Sequence, residues 1–265
     1  MHSYTDQIQQ EVRLQMMPKR IVSLVPSQTE FLAAIGLDEE VVGITKFCVH
    51  PTHWFRNKQR VGGTKQVHLE TVRALQPDLI IANKEENVRE QVQTLADIAP
   101  VWTSDINTVN DALHMMEAIG NLTGKQAEAA TIIKTITDKR IVLQQQSAGK
   151  TRPLRVAYLI WKDPYMTVGG DSFIDAMLRE CGWQNVYADK KRYPQISIAD
   201  LQAAAPDRLF LSSEPYPFKQ QHIDELQPFL PDTVIQLVDG EMFSWYGSRM
   251  IPAFDYFLEM QQQLT

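Results

Sequence analysis

What this sequence lacks narrows its function before any motif is considered. Two cysteines in 265 residues, Cys48 and Cys181, are too few for a disulfide framework and leave the redox compartment open. Lone thiols of this kind are most often small buried hydrophobes. No apolar run approaches the roughly 20 residues that a bilayer-spanning helix requires. Basic charge is thin as well: the formal net charge is −6, and the longest basic cluster is Lys190, Lys191, Arg192. A nucleic-acid binder concentrates positive charge on one face, so no nucleic-acid partner is expected. The first 20 residues, MHSYTDQIQQEVRLQMMPKR, have no apolar central run and no small-residue cleavage site. They do not read as a signal peptide. Two expectations stand: a cytoplasmic chain, or an exported one whose export segment lies outside this sequence.

Catalytic signatures are missing too. There is no G-x-S-x-G nucleophile elbow and no G-x-G-x-x-G. AGKT (148–151) looks like the end of a phosphate loop, but Gln144 stands where that loop needs glycine. KFCVHPTHW (46–54) gathers Cys48, His50 and His53. A metal site needs three or four convergent ligands, and no second cluster accompanies these, so no metal is expected. VGGT (61–64) and VGGD (168–171) read as tight turns whose glycines let a ligand approach the backbone.

What is present is an ordinary soluble composition, 44% apolar and 22% charged, in a chain long enough for one or two domains. Short apolar runs recur: IVSLV (21–25), VVGI (41–44), LIIA (79–82), VAYLI (156–160), LFL (209–211) and VIQLV (234–238). Runs of this length, rich in Val and Ile and separated by helical patterns, read as buried parallel strands. TEFLAAIGL predicts a helix ending at Gly36, and VHLETVRALQ a helix stopped by Pro77.

The chain also repeats itself. VHLETVRALQPDLIIA (67–82) aligns with ISIADLQAAAPDRLFL (196–211) at an offset of 129, and RIVSL (20–24) resembles RVAYL (155–159). Their consistent order predicts an α/β protein of two lobes, each a parallel sheet flanked by helices. From Lys125 to Ser147 neither Gly nor Pro occurs, and Ala129, Ile133, Ile136 and Leu143 fall at helical spacing. At 1.5 Å per residue this stretch makes a backbone helix of about 34 Å joining the lobes. The expected organisation is a tail (1–18), an N-terminal lobe (19–107), connecting helices including the backbone helix (108–150) and a C-terminal lobe (151–265).

Large aromatics follow the predicted strands: Phe47, Trp54, Trp161, Tyr165, Tyr193, Phe243, Trp245 and Tyr246. Loops beyond strand C-termini form the binding crevice of open α/β sheets, so these residues point to a flat, apolar-faced ligand between the lobes.

RIVSLVPSQTEFLAAIG, VGGTKQVHLETVRALQPDLIIA, YPQISIADLQAAAPD and MFSWYGSRM, with the long helix, resemble the class III, helical-backbone periplasmic binding proteins of ABC importers. The resemblance covers about residues 19–258 and is similar to the cobalamin-binding branch. It implies a monomeric, non-enzymatic receptor that captures cobalamin, haem, a ferric siderophore or a metal ion and docks on ABC permease subunits. It places Phe47, Thr64 and Asn83 on the first lobe, and Tyr193 and Trp245 on the second, at ligand-contact positions. Thr64 and Asn83 stand where cobalamin binders carry tryptophans. Trp161, Tyr165 and Tyr246 join the apolar wall, and Lys65 or Arg249 faces the ligand rim. The three histidines and carboxylate of zinc and manganese receptors are not found. For permease docking the resemblance implies one acid per lobe: Glu70 on the first, while its twin position holds Ala199 and the nearest acid is Asp200. A cytoplasmic carrier of the same fold, or an enzyme on a similar α/β pair, are the alternatives.

Overall fold

The computed structural model describes residues 2–148 and 152–263. Most of AGKT, including Gly149, expected to close the long helix, lies outside the described residues. The chain divides into two compact units. One comprises Met1–Ile106, Asn110–Thr135 and Trp245–Arg249; the other comprises Asn107–Val109, Ile136–Ser244 and Met250–Thr265.

The first unit opens with an antiparallel hairpin, β1 (His2–Thr5) and β2 (Glu11–Leu14). There follow β3 (Ile21–Ser23), α1 (Pro26–Ala34), β4 (Val41–Ile44), α2 (Thr52–Asn57), β5 (Gln59–Arg60), α3 (Leu69–Ala74), β6 (Leu79–Asn83), α4 (Arg89–Leu95) and β7 (Val101–Ser104). The five later strands form one parallel sheet in the order β5-β4-β3-β6-β7. Every residue of β6 is buried, because a parallel sheet is covered on both faces. Helix α1 starts with Pro26 in its first turn, where no N–H is needed, and its chain leaves through Gly36 at φ +77°. Helices α5 (Val109–Thr123) and α6 (Gln126–Ser147) follow.

The N-terminal stretch is not the tail that its sequence suggested. Val12 and Leu14 alternate inward along β2, and the hairpin loop bonds the edge strand β7. Gln7 N–H donates to the Thr103 carbonyl (3.1 Å), and Thr103 N–H donates to the Asp6 carboxylate (3.2 Å). An edge strand leaves amides and carbonyls unpaired, and this loop supplies their partners. Asp6 is 3% exposed, and burial pushes its pKa up although Gln10, Thr103 and Ile8 amides donate to it.

The second unit contains β8 (Arg155–Trp161), β9 (Met166–Thr167), α7 (Phe173–Glu180), β10 (Gln184–Asn185), α8 (Ile198–Ala204), β11 (Arg208–Ser212), α9 (Gln220–Leu226), β12 (Val234–Val238), α10 (Gly240–Ser244) and α11 (Met250–Gln263). Its parallel strands run β10-β8-β11-β12, with β9 antiparallel on β8. Tyr158, Phe210, Phe243 and Phe257 pack as tilted rings, Phe243 and Phe257 at 4.7 Å, in one core.

The repeat in the sequence is a repeat in the structure. Strands β6 and β11 span the same five positions at the 129-residue offset. Ile21 pairs with Leu79 in the first sheet, and Val156, its counterpart, pairs with Arg208 in the second. One clamp recurs in both. Asp78 of the first Pro-Asp turn accepts from the N–H of Arg20 (2.9 Å), whose Nε donates to the Leu75 carbonyl (2.8 Å). Asp207 of the second turn accepts from the N–H of Arg155 (2.8 Å), whose Nη2 donates to the Ala204 carbonyl (2.6 Å). Before each proline the chain turns left-handed, at Gln76 (φ +45°) and Ala205 (φ +42°). A residue preceding proline is driven out of the helical region, so each helix stops where the clamp needs it to.

Helix α6 begins in the first unit and ends in the second, with 22 residues and about 33 Å of length. Ala129, Ile136 and Leu143 are its buried stripe. Arg140 holds Glu180 of α7 through two hydrogen bonds of 2.6 and 2.9 Å. Among the described residues no helix is long and apolar enough to cross a membrane.

Replacing either clamp aspartate removes charge-assisted bonds to a strand amide. Asp78→Ala and Asp207→Ala should each cost about 1–3 kcal/mol. The costs should add in the double variant, because the two clamps share no partner. Urea unfolding monitored by circular dichroism measures this. A loss below about 0.5 kcal/mol would show that sheet packing alone sets the register.

Candidate functional site

In each sheet the parallel strands end on one edge, and the loops leaving that edge carry the candidate residues. In the first unit, the loop after β4 presents Phe47, 50% exposed, with the Lys46 ammonium 5.1 Å from its ring centroid. Backbone contact holds this loop: Lys46 N–H donates to the Gly62 carbonyl (2.8 Å). A Cβ on Gly63 would lie 3.2 Å from Phe47 Cε2 and 3.4 Å from Lys46 Cε. The VGGT turn is thus small because the Phe47 loop lies on it. Thr64 follows, buried, with its carbonyl accepting from Asn87 Nδ2 (2.9 Å). Lys65 is exposed and gives its ammonium to the Glu85 carbonyl.

Asn83 does not present its side chain as the sequence suggested. It is 2% exposed; its Oδ1 accepts from the N–H groups of Glu85 and Glu86, and its Nδ2 donates to Ser104 Oγ (2.9 Å). Its amide is spent on shaping the turn after β6, so it is corrected from a ligand contact to a positioning residue.

Trp245, Tyr246 and Arg249 belong to the first unit, although their place in the sequence suggested the C-terminal lobe. Arg249 is the reason. Its guanidinium grips Glu30 of α1 through two bonds, 3.0 and 2.7 Å, and lies 5.3 Å over the Trp245 ring. Gly247, at φ +88°, brings the short 3-10 turn within Cβ contact of Phe31. Trp245 is 8% exposed and meets His50 edge to face at 5.5 Å. Arg249 is therefore committed to Glu30 and is corrected from a rim cation to an anchor for Trp245. Tyr246 is buried, and burial pushes its hydroxyl pKa up.

In the second unit, one ribbon gathers three of the predicted aromatics. Trp161 ends β8 and pairs with Met166 of β9; Met166 in turn bridges Gln195. Ile196 N–H donates to the Tyr165 carbonyl (3.0 Å), and Thr167 N–H to the Pro194 carbonyl (3.0 Å). Trp161 is 40% exposed, while Tyr165 and Tyr193 are half-buried. Behind Trp161 lies a group the sequence reading passed over. Tyr216 meets Trp161 at 5.8 Å and Phe218 at 4.8 Å. Buried His222 accepts the Lys219 N–H at Nδ1 (2.8 Å), so its Nε2 carries the proton toward Tyr216 Oη (3.2 Å). The signal was the Pro-flanked YPF that follows strand β11.

Two other aromatics are structural. Trp54 is 1% exposed with its Nε1 on Asp38 (2.6 Å), and Phe243 is wholly buried in the ring core. Cys48, His50 and His53 diverge. The Cys48 thiol is buried against the Thr29 and Thr45 hydroxyls (3.1 Å each), and burial pushes its pKa up. His53 reaches Asp38, while His50 packs on Trp245. Among the described residues, no group of three or more His, Cys, Asp or Glu could hold a metal.

Of the docking acids, Glu70 stands on the second residue of α3 with its side chain 89% exposed, 3.8 Å from Arg73. Asp200 is engaged elsewhere. Both the N–H and the hydroxyl of Ser197 donate to its carboxylate at 2.7 Å, closing a capping box on α8. Those bonds hold its carboxyl below the usual range. It is a helix cap, which corrects its expected docking role.

A model of the periplasmic binding protein family matches residues 21–229. The chain is 26% identical over 196 residues to the vitamin B12-binding protein of Vibrio parahaemolyticus serotype O3:K6, covering 73% of this chain and 70% of that one. Among solved structures it is similar to the periplasmic vitamin B12 binding protein BtuF of Vibrio cholerae, with TM-score 0.78 and 22% identity over 93% of this chain and 98% of that one. It is also similar to the periplasmic heme-binding protein RhuT from Roseiflexus sp. RS-1, with TM-score 0.80 and 20% identity over 93% and 99%. At these identities the structural likeness shows the fold.

Burial of both thiols has a direct consequence. Ellman's reagent should find no reactive thiol in the native protein at pH 8 and two after denaturation, with added zinc changing neither result. A fast-reacting native thiol would return Cys48 to the list of candidate ligands.

Proposed function

The chain belongs to the periplasmic binding protein family, a family of solute receptors rather than enzymes, and from that premise we propose that it binds a corrinoid or metal chelate for an ABC importer. The family acts outside the cytoplasm, and we place this chain in the periplasm with it. The observation that carries the ligand class is aromatic. Phe47 (50% exposed) and Trp161 (40% exposed) are large rings standing at or just beyond the C-terminal ends of parallel strands, the edge at which open α/β sheets bind ligands.

A flat macrocycle or chelate suits such rings, because stacking buries apolar surface without demanding a dense set of hydrogen bonds. Tyr165 and Tyr193, half-buried on the second unit, add apolar surface of the same kind. The ligand is cargo, and no resident cofactor is required. The relatives named above divide between vitamin B12 and heme, so both belong in the test.

Titration with cyanocobalamin, hemin and ferric siderophores should quench intrinsic fluorescence, since Trp161 lies at the proposed contact. Phe47→Ala and Trp161→Ala should each weaken binding by about 1–3 kcal/mol, the scale of one lost aromatic contact. No calorimetric heat and no quenching with any of these ligands would sink the proposal.

Delivery to a permease rests on Glu70, the exposed acid on α3. Glu70→Ala should weaken association with permease-containing vesicles, whereas Asp200→Ala should act on helix α8 and leave association close to that of the unaltered protein. Equal, strong losses from both would restore a docking role to Asp200. No loss from Glu70→Ala would favour a carrier that does not dock.

A further inference from the structure

Three lysines stand at the strand-end edge of the first sheet: Lys46 after β4, Lys65 after the VGGT turn and Lys84 after β6. All three are exposed, but two are already engaged. Lys65 donates to the Glu85 carbonyl, and Lys84 donates to the Asp105 carboxylate at 2.5 Å. Lys46 gives its ammonium to no oxygen among the described residues and holds it 5.1 Å from the centroid of the Phe47 ring. A ring face holds a cation in place without neutralising it. Gly63 lies directly beneath the pair, where a Cβ would press on Phe47 Cε2 at 3.2 Å and on Lys46 Cε at 3.4 Å. The first unit therefore offers a half-exposed ring and an uncompensated positive charge side by side.

We propose that Lys46 is a specificity-determining residue whose ammonium binds an anionic substituent, a carboxylate in the first instance, on the rim of a ligand stacked against Phe47. The inference rests on the function proposed above and narrows its ligand class to flat metal complexes with a negatively charged rim. An amide-rimmed macrocycle gains the stacking but not the ion pair. A carboxylate reaching Lys46 would make a charge-assisted hydrogen bond in partly desolvated surroundings, stronger than an open surface pair. It would also be weakened by salt.

The test compares iron(III) protoporphyrin IX with its dimethyl ester, which has the same macrocycle and no carboxylate, alongside cyanocobalamin, in one detergent-containing buffer. The unaltered protein should bind the free acid about five- to tenfold tighter than the ester, with the preference shrinking as salt rises. Lys46→Gln should abolish the preference by weakening binding of the free acid, and Lys46→Arg should retain it. Circular dichroism of each variant checks the fold. Equal affinity for acid and ester, or a preference that survives in Lys46→Gln, overturns the assignment. Tight binding of cyanocobalamin alone, indifferent to Lys46→Gln, overturns it while the receptor function stands. Failure to bind any of the three probes or a ferric siderophore removes both.

Discussion

Both parallel sheets depend on one interaction, the carboxylate of a Pro-Asp turn accepting the backbone N–H at the start of the strand that comes first in that sheet along the chain. Asp78 fixes Arg20, which puts Ile21 beside Leu79; Asp207 fixes Arg155, which puts Val156 beside Arg208. A one-residue slip in a parallel sheet would exchange every inward and outward side chain, so a charge-assisted bond at the start of the strand protects the whole register. The same arginine then returns to the end of the preceding helix, at Leu75 or Ala204, and satisfies a carbonyl that no helix residue can reach. Strand start, turn and helix end are closed into one loop of bonds.

That register decides what stands at the strand ends. Asn83 and Ser212 occupy equivalent last positions, and each accepts an N–H from two residues on, Glu85 and Glu214. Both are therefore turn-shaping residues, and the exposed side chains at this edge come from the loops beyond. The units diverge there. The first exposes Phe47, laid against a glycine turn, and buries Trp245 beneath the Arg249 guanidinium that Glu30 holds. The second builds a ribbon from the end of β8, the short β9 and the segment around Gln195, backed by Tyr216, Phe218 and His222. A repeated scaffold carries two different rims.

Much of the scaffold was legible. VIQLV and VVGI are strands β12 and β4 residue for residue, and the stretch without Gly or Pro after Lys125 is helix α6. Apolar runs and breakers act over a few residues, so a linear reading captures them. The two-residue strands β5, β9 and β10 escaped notice because so short a segment has no periodicity. The N-terminal hairpin escaped for a different reason. Its strands carry few apolar residues, and its loop is held by the amides and carbonyls of β7, a partner about a hundred positions away.

By itself, then, the sequence determined the α/β class, the internal repeat, the linking helix and membership of a receptor family, because these rest on apolar spacing and turn residues that act locally. The tertiary structure decided which polar and charged side chains remain for a ligand. Arg249 looked like a rim cation until Glu30, 219 positions away, accepted from its Nε and Nη2; Asn83 looked like a contact until Ser104 and two turn amides absorbed it. Lys46, unremarked in the sequence, has its ammonium over a ring instead of on a carboxylate because of where the fold set it. A side chain's hydrogen-bond partner is chosen by proximity in space, and distant segments come together only when the chain folds.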